Sequence, residues 1–580
     1  MKKHNRIIAG IMAMCLAFGV TAIPAVSMAE SSENYYEEEE YYTYKNLTYT
    51  FLEDGTIEII DCDKSVKKVI IPDKIDGTAV TSIGDSAFEH CENLSSISIP
   101  DSITTIRWYA FSSCYNLISI DIPDSVTSIG DSAFFYCSAL ESINIPDSVT
   151  DIGNNAFDYC TNLTEVKISD NITKINTQVF HHCESLKEIH IPESVTSIGN
   201  NAFSYCKNLT SINISENILD IGNNILKNTP WLEEKQKENP FVVVNDILID
   251  ATTCSGDVIV PDDIKVISGG AFEECIDLTS IVIPESVISI GSYAFYECKN
   301  LTSVTLPDSI KSIEKNTFQY CTSLISIEIP ENVTAIKINA FQGCRNLKSV
   351  TIPDSVTSIG WYVFSDCSNL TEVTLPDNLK SIGLEAFANC SNLTSINIPD
   401  GITSIDTYLF NRCTSLKSIT IPESVTHIYN SAFKDCSGLT EIIIPESVII
   451  INENAFKGCS GLKKITFMNP ECRIRERDEL GETISDTATI YGYEGSTAQA
   501  YAEKYNFKFI SLEKALEENT ATGDLNSDNE FNVSDVVLLQ QYILGGSDTE
   551  ISDWKQADLN ADGVLDVFDL VMMRKKLIEK

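Results

Sequence analysis

The chain has 580 residues, and its 83 acidic and 41 basic residues give a formal net charge of -42 at pH 7. Such a charge excludes nucleic acid and anionic membrane surfaces as partners, because both repel a strongly acidic protein. Residues 1–29 combine a basic start, a short apolar run and the small-residue site Ser27-Met28-Ala29, a pattern typical of a cleaved signal peptide. The apolar run is too short to span a membrane comfortably. We therefore expect a secreted, extracellular protein without a transmembrane anchor.

Two segments precede the regular part of the chain. Residues 30–43 are rich in Glu and Tyr and predict a disordered segment. Residues 44–80 are only half regular, with Ile70, Ile71 and Pro72 resembling the strand ends found further along. We interpret 44–80 as an N-terminal cap.

Cysteines recur every 23 residues over 81–223 and again over 261–467. Phe stands three residues before each of them and Leu three residues after. The fifteen cysteines are Cys91, Cys114, Cys137, Cys160, Cys183, Cys206, Cys275, Cys298, Cys321, Cys344, Cys367, Cys390, Cys413, Cys436 and Cys459. A fixed period of this length is the signature of a stacked repeat protein.

Each repeat predicts one short strand and one short helical turn. Leu94, Ile97 and Ile99 are apolar, and towards the end of the segment apolar and polar residues alternate, as a half-buried strand requires. Pro100 then ends the strand. The spacing of Phe111 and its neighbours predicts a short helical turn. A single unit cannot bury its apolar face, so the units stack into a mainly β repeat solenoid.

Two further segments depart from the period. Residues 224–260 hold Trp231 and a charged run, and because the register returns after three periods we interpret them as an insert that replaces two rungs. Residues 468–511 include a helical pattern over 498–505 and predict the C-terminal cap. Residues 512–522 follow as a linker.

The repeat unit "IPDSVTSIGDSAF" over the range 44–512 resembles the BspA-type branch of the leucine-rich repeats. That resemblance implies a leucine-rich-repeat solenoid of the kind found in adhesive surface proteins.

The repeat cysteines have two interpretations. Neighbouring rungs lie close enough for disulfides, but in an in-register stack the Cβ vectors run parallel and do not point towards each other. An odd number of cysteines would also leave one thiol over. We therefore expect a column of buried free thiols that behave as small apolar side chains.

We find no convergent catalytic group in the repeats. Their outward positions are mostly Ser and Thr, and catalysis requires a few dissimilar groups that meet at one place. The three histidines His181, His182 and His190 are close in sequence, but adjacent side chains point in different directions, so we do not expect a zinc site there. The acidic residues of the 224–260 insert lack an acid–base partner. The sequence therefore predicts a protein without catalytic residues, which is not an enzyme.

Aromatic residues precede the repeat cysteine in four consecutive rungs. They are Tyr136, Tyr159, His182 and Tyr205. We predict an aromatic column on one flank, a candidate ligand surface for a protein or a glycan because flat amphipathic rings bind both. Ordinary packing between rungs is the alternative.

Two C-terminal segments, 34 residues apart, repeat one pattern of acidic and amide residues. Positions 1, 3, 5, 7, 9 and 12 of a calcium loop hold Asp524, Asn526, Asp528, Glu530, Asn532 and Asp535. The second copy has Asp558, Asn560, Asp562, Val564, Asp566 and Asp569. Calcium requires six or more oxygen ligands, and position 7 supplies a backbone carbonyl. Each loop leads into an apolar helix, over 533–544 and 567–578.

The duplicated loop and helix over 523–580 resemble a type I dockerin, a small all-α calcium-binding module. The resemblance implies two calcium ions as cofactors and the cohesin domain of a scaffoldin as partner. The partner-binding positions of that family fall on Val533, Ser534, Gln540, Gln541, Val567, Phe568, Arg574 and Lys575. Because the two sets differ chemically, we expect Phe568, flanked by Arg574 and Lys575, to be the better anchor.

The first loop departs from the family pattern. Asn529 replaces the usual Gly at position 6, and this loop supplies three carboxylates where the second supplies four. We therefore predict weaker calcium binding at the first loop.

These features predict a secreted, non-catalytic interaction protein of a cellulosome-type complex. Its dockerin would attach it to a scaffoldin, and its solenoid would bind a protein, cell-surface or glycan ligand. The alternatives are an enzyme or auxiliary factor of polysaccharide degradation and a passive structural spacer.

Overall fold

The computed structural model describes residues 40–476, 482–512, 523–526, 530–544, 551, 554–559 and 564–578. The predicted signal peptide, nearly all of the acidic segment and the linker after residue 512 lie outside these residues. Two compact units divide the chain, Met1–Asn245 and Asp246–Lys580, and their boundary falls inside the predicted insert. No helix among the described residues has the length and apolar character needed to cross a membrane.

The first unit begins with an antiparallel hairpin, which lies where the sequence predicts the N-terminal cap. The strands of this region are Tyr42–Tyr44, Leu47–Phe51, Ile57–Cys62, Lys68–Ile70, Lys74–Ile75 and Thr78–Ile83. Two columns of short parallel strands follow. The first strand column has Ser96–Ser98, Ser142–Asn144, Glu165–Lys167, Glu188–His190 and Ser211–Asn213. The second has Thr105–Ile106, Ser128–Ile129, Asp151–Ile152, Lys174–Ile175, Ser197–Ile198 and Asp220–Ile221.

The first unit ends with helix α1, Pro230–Glu238, and the strand Val242–Val244. Helix α1 begins here because the Thr229 hydroxyl accepts a hydrogen bond from the backbone N–H of Leu232 at 3.3 Å, and Pro230 has no N–H that would need a partner. The charged run of the insert is therefore part of a short surface helix, and its two lysines pair with acids of the same helix.

The second unit repeats the two columns. Its first strand column has Gly256–Ile259, Leu278–Val282, Ser303–Thr305, Ser349–Thr351, Glu372–Thr374, Glu441–Ile444, Lys464–Phe467, Thr489–Gly492 and Phe509–Ser511. Its second has Ile247–Asp250, Val266–Ile267, Ser289–Ile290, Ser312–Ile313, Ala335–Ile336, Ser358–Ile359, Ser381–Ile382, Ser404–Ile405, His427–Ile428, Ile450–Ile451 and Arg473–Ile474. The helices are α2 (Thr497–Tyr505), α3 (Val533–Ile543), a 3-10 turn (Trp554–Gln556) and α4 (Val567–Ile578).

The register of the columns follows the repeat. Ser358 pairs with Ser381 and Val350 with Val373, in each case one period further along a parallel strand. Each regular rung therefore contributes a second, two-residue strand besides the one that the sequence predicts. The leucine-rich solenoid is confirmed as a mainly β structure.

The repeated Phe and Cys residues form the core. The Phe rings of successive rungs stack within each unit at centroid separations of 4.9–5.8 Å and interplanar angles of 1–17°. In the first unit from Cys114 onwards, and in the second unit from Cys298 onwards, each repeat thiol donates a hydrogen bond to the carbonyl oxygen of the Phe that stands 26 residues earlier. Cys114, for example, donates to Phe88 at 3.2 Å. All described cysteines are buried and free.

The segment that looked helical is a pair of tight turns. Tyr109 and Ser113 both have positive φ, 54° and 60°, and the two equivalent positions do so in nearly every rung. The backbone N–H of such a residue donates to the next rung, as from Tyr109 to the Asp131 carbonyl at 3.0 Å. This rung-to-rung bonding offsets the cost of the left-handed conformation.

Ser, Thr and Asn side chains of the repeat join rungs as well. The Ser125 hydroxyl donates to the Ile103 carbonyl at 2.6 Å, Thr127 to Thr104 at 3.2 Å, and the Asn116 amide to Glu92 at 2.6 Å. The many Ser and Thr residues therefore satisfy backbone carbonyls of the neighbouring rung.

Candidate functional site: the calcium loops and the docking helices

Asp535 closes the first calcium loop. Its side chain is 0% exposed. One carboxylate oxygen accepts hydrogen bonds from the backbone N–H groups of Leu525 and Asn526 at 2.8 and 3.2 Å, and the other accepts from Asn532 at 2.8 Å. Asn532 in turn caps α3 by accepting from the Ser534 N–H at 2.8 Å. Position 12 of the loop is thereby tied to positions 2, 3 and 9.

Asp569 closes the second loop in the same way. It is also 0% exposed, and it accepts hydrogen bonds from the backbone N–H groups of Leu559 at 2.9 Å and Asp566 at 3.0 Å. Asp566 accepts from the Phe568 N–H at 2.7 Å, the bond that Asn532 makes in the first loop. The two halves of the module are therefore built alike.

The donor set fits calcium. Buried carboxylates favour a cation beside them, because an ionised group is costly to remove from water. Asp535, Asp558 and Asp569 are all buried in this small module, and the remaining described loop residues offer oxygen ligands, which calcium prefers. Asp528, Asn560 and Asp562 lie outside the described residues. Among the described residues, no group of three His, Cys, Asp or Glu side chains is arranged to hold a metal ion. The histidines around position 181 therefore do not form such a group.

Helices α3 and α4 pack on one apolar core. Leu539 of α3 and Met573 of α4 are 0% exposed within it, together with Leu525 and Leu559 from the loops. The Arg574 guanidinium donates to the Gln540 side-chain oxygen at 2.8 Å, which joins two equivalent positions of the two halves.

The predicted partner-binding residues differ in exposure. On α3, Val533, Ser534 and Gln541 are exposed and Gln540 is half-buried. On α4, Val567 and Arg574 are exposed and Lys575 is half-buried. Phe568, the expected anchor, is only 1% exposed, so in this arrangement it is covered and is not available to a partner.

The four predicted aromatic residues do form a column. Tyr136, Tyr159, His182 and Tyr205 stack face to face at centroid separations of 4.4, 4.3 and 4.5 Å, with interplanar angles of 6–9°. All four have positive φ. The inner ring faces therefore contact one another, and all four residues are half-buried. Phe135 and His181 pack at right angles against the column.

Sequence reasoning missed an open groove in the second unit. Trp361, half exposed at 50%, lies in a groove of about 430 Å³ with Lys315, Lys337 and Asp406 among its lining residues. Trp361 follows the second-column strand Ser358–Ile359 at a repeat position that the unit pattern does not restrict. A Trp at a variable repeat position, which recurs only at Trp108 among the repeats, is the signal that could have pointed to it.

The stacked rungs and the paired calcium loops define a repeat protein that carries a docking module. Residues 58–183, 128–245, 251–371 and 357–477 match the BspA type leucine rich repeat region. These matches span more than half of the chain, so the chain belongs to the BspA-type leucine-rich-repeat family. Residues 522–578 match the dockerin type I domain, a calcium-binding module that docks to cohesins. Neither matched domain is catalytic.

Solved structures of bacterial repeat proteins are similar to the chain. A leucine-rich repeat protein from Bacteroides ovatus is 25% identical, with 75% of this chain and 100% of that chain covered and a TM-score of 0.33. A leucine rich cell surface protein from Faecalibacterium prausnitzii is 27% identical, with 74% and 95% covered and a TM-score of 0.31. The pneumococcal vaccine antigen PcpA is 19% identical, with 82% and 98% covered and a TM-score of 0.35. No curated protein sequence matches the chain.

Proposed function

We propose that the protein is a secreted, non-catalytic interaction protein that binds a cohesin of a cellulosome-type scaffoldin through its calcium-loaded dockerin. The observation that carries this proposal is the equivalent closure of the two loops, in which the buried carboxylates of Asp535 and Asp569 each accept from the backbone of positions 2 and 9. Such closure positions the first turns of α3 and α4, where several of the partner-binding positions lie.

Two calcium ions complete the module in this proposal. Calcium would supply positive charge beside the buried carboxylates and so stabilise the folded loops. The first ion would be held by Asp524, Asn526, Asp528, Asn532, Asp535 and the Glu530 carbonyl. The second would be held by Asp558, Asn560, Asp562, Asp566, Asp569 and the Val564 carbonyl.

The solenoid presents the ligand-binding surface. Leucine-rich repeats imply a protein-interaction role, and the aromatic column of Tyr136, Tyr159, His182 and Tyr205 remains our candidate surface. Its rings already stack on one another, which favours a protein ligand over a stacked sugar ring, because sugar stacking requires a free ring face. A Tyr136→Ala/Tyr159→Ala variant that binds every tested protein and glycan as before would remove the column from the proposal.

The docking proposal is tested with the full-length secreted chain and a panel of immobilised type I cohesins. We expect binding in calcium that is lost on chelation and in the Asp535→Ala/Asp569→Ala variant, since both remove the closure of the loops. Asp400→Ala, which removes an exposed carboxylate of the solenoid, is the matched control and should bind normally. Binding that persists under chelation, or no binding to any cohesin in calcium, would contradict the proposal.

A further inference from the structure

Equivalent positions on the two dockerin helices have very different exposure. Ser534 of α3 is exposed, whereas Phe568, its counterpart on α4, is 1% exposed. The position therefore lies on the outer surface of the module, and in the second half something outside the duplicated unit covers it. The covering residues belong to the last rungs of the solenoid.

Phe568 is held by two solenoid side chains. The Lys464 ammonium lies 4.4 Å from the centre of the Phe568 ring, and the Tyr491 ring meets it edge-on at a centroid separation of 6.4 Å. Lys464 also pairs with the Asp566 carboxylate at 3.8 Å, and both side chains are largely buried, at 13% and 17% exposure. A cation between a ring face and a carboxylate is well placed for both interactions.

A second contact lies further along α4. The Lys575 ammonium donates to the Tyr493 hydroxyl at 2.5 Å and lies 4.2 Å from the centre of the same ring. Its counterpart on α3, Gln541, is exposed. The two helices thus differ at both ends of the predicted partner-binding face.

The sequence of the last rungs is adapted to this contact. One outward row of the first strand column reads Thr351, Thr374, Asn397 and Thr420 in successive rungs, and it continues as Ile443, Thr466 and Tyr491. Ile443 and Tyr491 pack against the dockerin core together with Met468 and Tyr493. Thr466 is 0% exposed, whereas Thr351 and Thr374 of the same row are exposed. The end of the row is therefore a covered, partly apolar surface.

We infer that the last rungs of the solenoid are a built-in docking surface for the second half of the dockerin, so that α3 alone faces a cohesin. The identity of the external partner as a cohesin rests on the proposed function. Helix α3 leaves Val533 and Val537 at 64 and 44% exposure on one face, and the C-cap residue Leu544, on the same side, is 76% exposed. The exposed large apolar residues of α4 are Val567 and Ile578, which lie at its two ends. The face of α3 is therefore the continuous apolar surface left for the cohesin on a module that matches the dockerin type I domain.

Cohesin binding by full-chain variants tests which helix is used. We expect Val537→Arg on α3 to weaken binding by about tenfold or more, because it places a charge in the proposed interface. Gln541→Glu is a second α3 variant should Val537→Arg fail to fold. Phe568→Ala and Val567→Ala on α4 should leave affinity within about twofold of the parent. A tenfold loss in the α4 variants with none in the α3 variants would overturn the inference.

Hydrogen–deuterium exchange in calcium tests the internal contact without any cohesin. We expect Tyr491→Ala and Lys464→Glu to increase exchange in α4 and to leave α3 unchanged. Thr374→Ala, in the same outward row but remote from the contact, is the control. Unchanged exchange in α4 would overturn the built-in contact. If no cohesin binds, the proposed function fails while this measurement still decides the contact.

Discussion

At the residue scale, the cysteine column shows what the sequence can predict. The period and the parallel Cβ directions predict buried free thiols, and the described cysteines are free and buried. The hydrogen bond from most repeat thiols to a Phe carbonyl was not predictable, because it depends on left-handed turns that the repeat pattern does not reveal. The thiol is thus a small apolar side chain that also satisfies a backbone acceptor.

The thiols should be chemically inert in the folded chain. Burial raises the pKa of Cys206, Cys413 and Cys472 to about 12, so at pH 8 these thiols hold little reactive thiolate. The hydrogen bond with Cys62 lowers the pKa of Cys91, but that residue is 0% exposed and closed to a reagent. We expect essentially no reaction of the native protein with Ellman's reagent, and full reaction once it is denatured. Rapid labelling of the native protein would show that the column is open.

Left-handed positions make a second prediction. Glu385 has φ 55° at the repeat position where Asn316 and Asn339 stand in other rungs. Asn tolerates this conformation better than Glu, so Glu385→Asn should stabilise the fold by roughly 1 kcal/mol. The reverse change, Asn339→Glu, is the matched control and should destabilise it. Urea unfolding at pH 7 measures both, and a lower midpoint for Glu385→Asn would contradict the account.

The stability gained by Glu385→Asn should depend on pH. Burial, and then the charge of Asp366, raises the pKa of Glu385. Because that pKa is higher in the folded chain, folding favours the protonated form, and stability is lost as the pH rises through the raised pKa. The advantage of Glu385→Asn should therefore be smaller at pH 4 than at pH 7. An advantage that grows on acidification would contradict this assignment.

At the scale of the element, the sequence predicts one strand and one helical turn per rung, whereas the structure has two strands and a pair of turns. The second strand is only two residues long, as in Thr105–Ile106, which is too short to show alternation. The turn imitates helical spacing because Phe111 and Cys114 are joined by a hydrogen bond across three residues. The helix predicted in the C-terminal cap is present as α2.

The stacked Phe rings make a prediction for the rung. Phe364 is 0% exposed and lies between Phe341 and Phe387 at centroid separations of 5.5 and 5.6 Å. Phe364→Ala should reduce the free energy of unfolding by roughly 3–5 kcal/mol, because it leaves a cavity and breaks the stack. Phe364→Leu, the control, should cost only about 1 kcal/mol. Urea unfolding measures both variants. A loss of less than about 1 kcal/mol in the free energy of unfolding for Phe364→Ala would contradict a continuous core.

At the scale of the whole molecule, the sequence predicts the order of repeats, caps and dockerin. The sequence could not predict how the dockerin packs against the last rungs of the solenoid. Phe568 looked like the better anchor because aromatic and Arg residues dominate interface hot spots and Arg574 and Lys575 flank it. Its burial depends on Lys464 and Tyr491, which are distant in sequence. Within the second unit, tertiary contact therefore decides which of two similar helices stays accessible.

The central claim is that the C-terminal module is a calcium-binding dockerin with two unequal loops. Isothermal titration of the full chain with calcium tests it most directly. We predict two bound ions, with Asp569→Ala, which leaves only the first loop, binding calcium more weakly than Asp535→Ala. Equal affinities in the two variants would contradict the predicted asymmetry. A parent chain that binds no calcium would contradict the account as a whole.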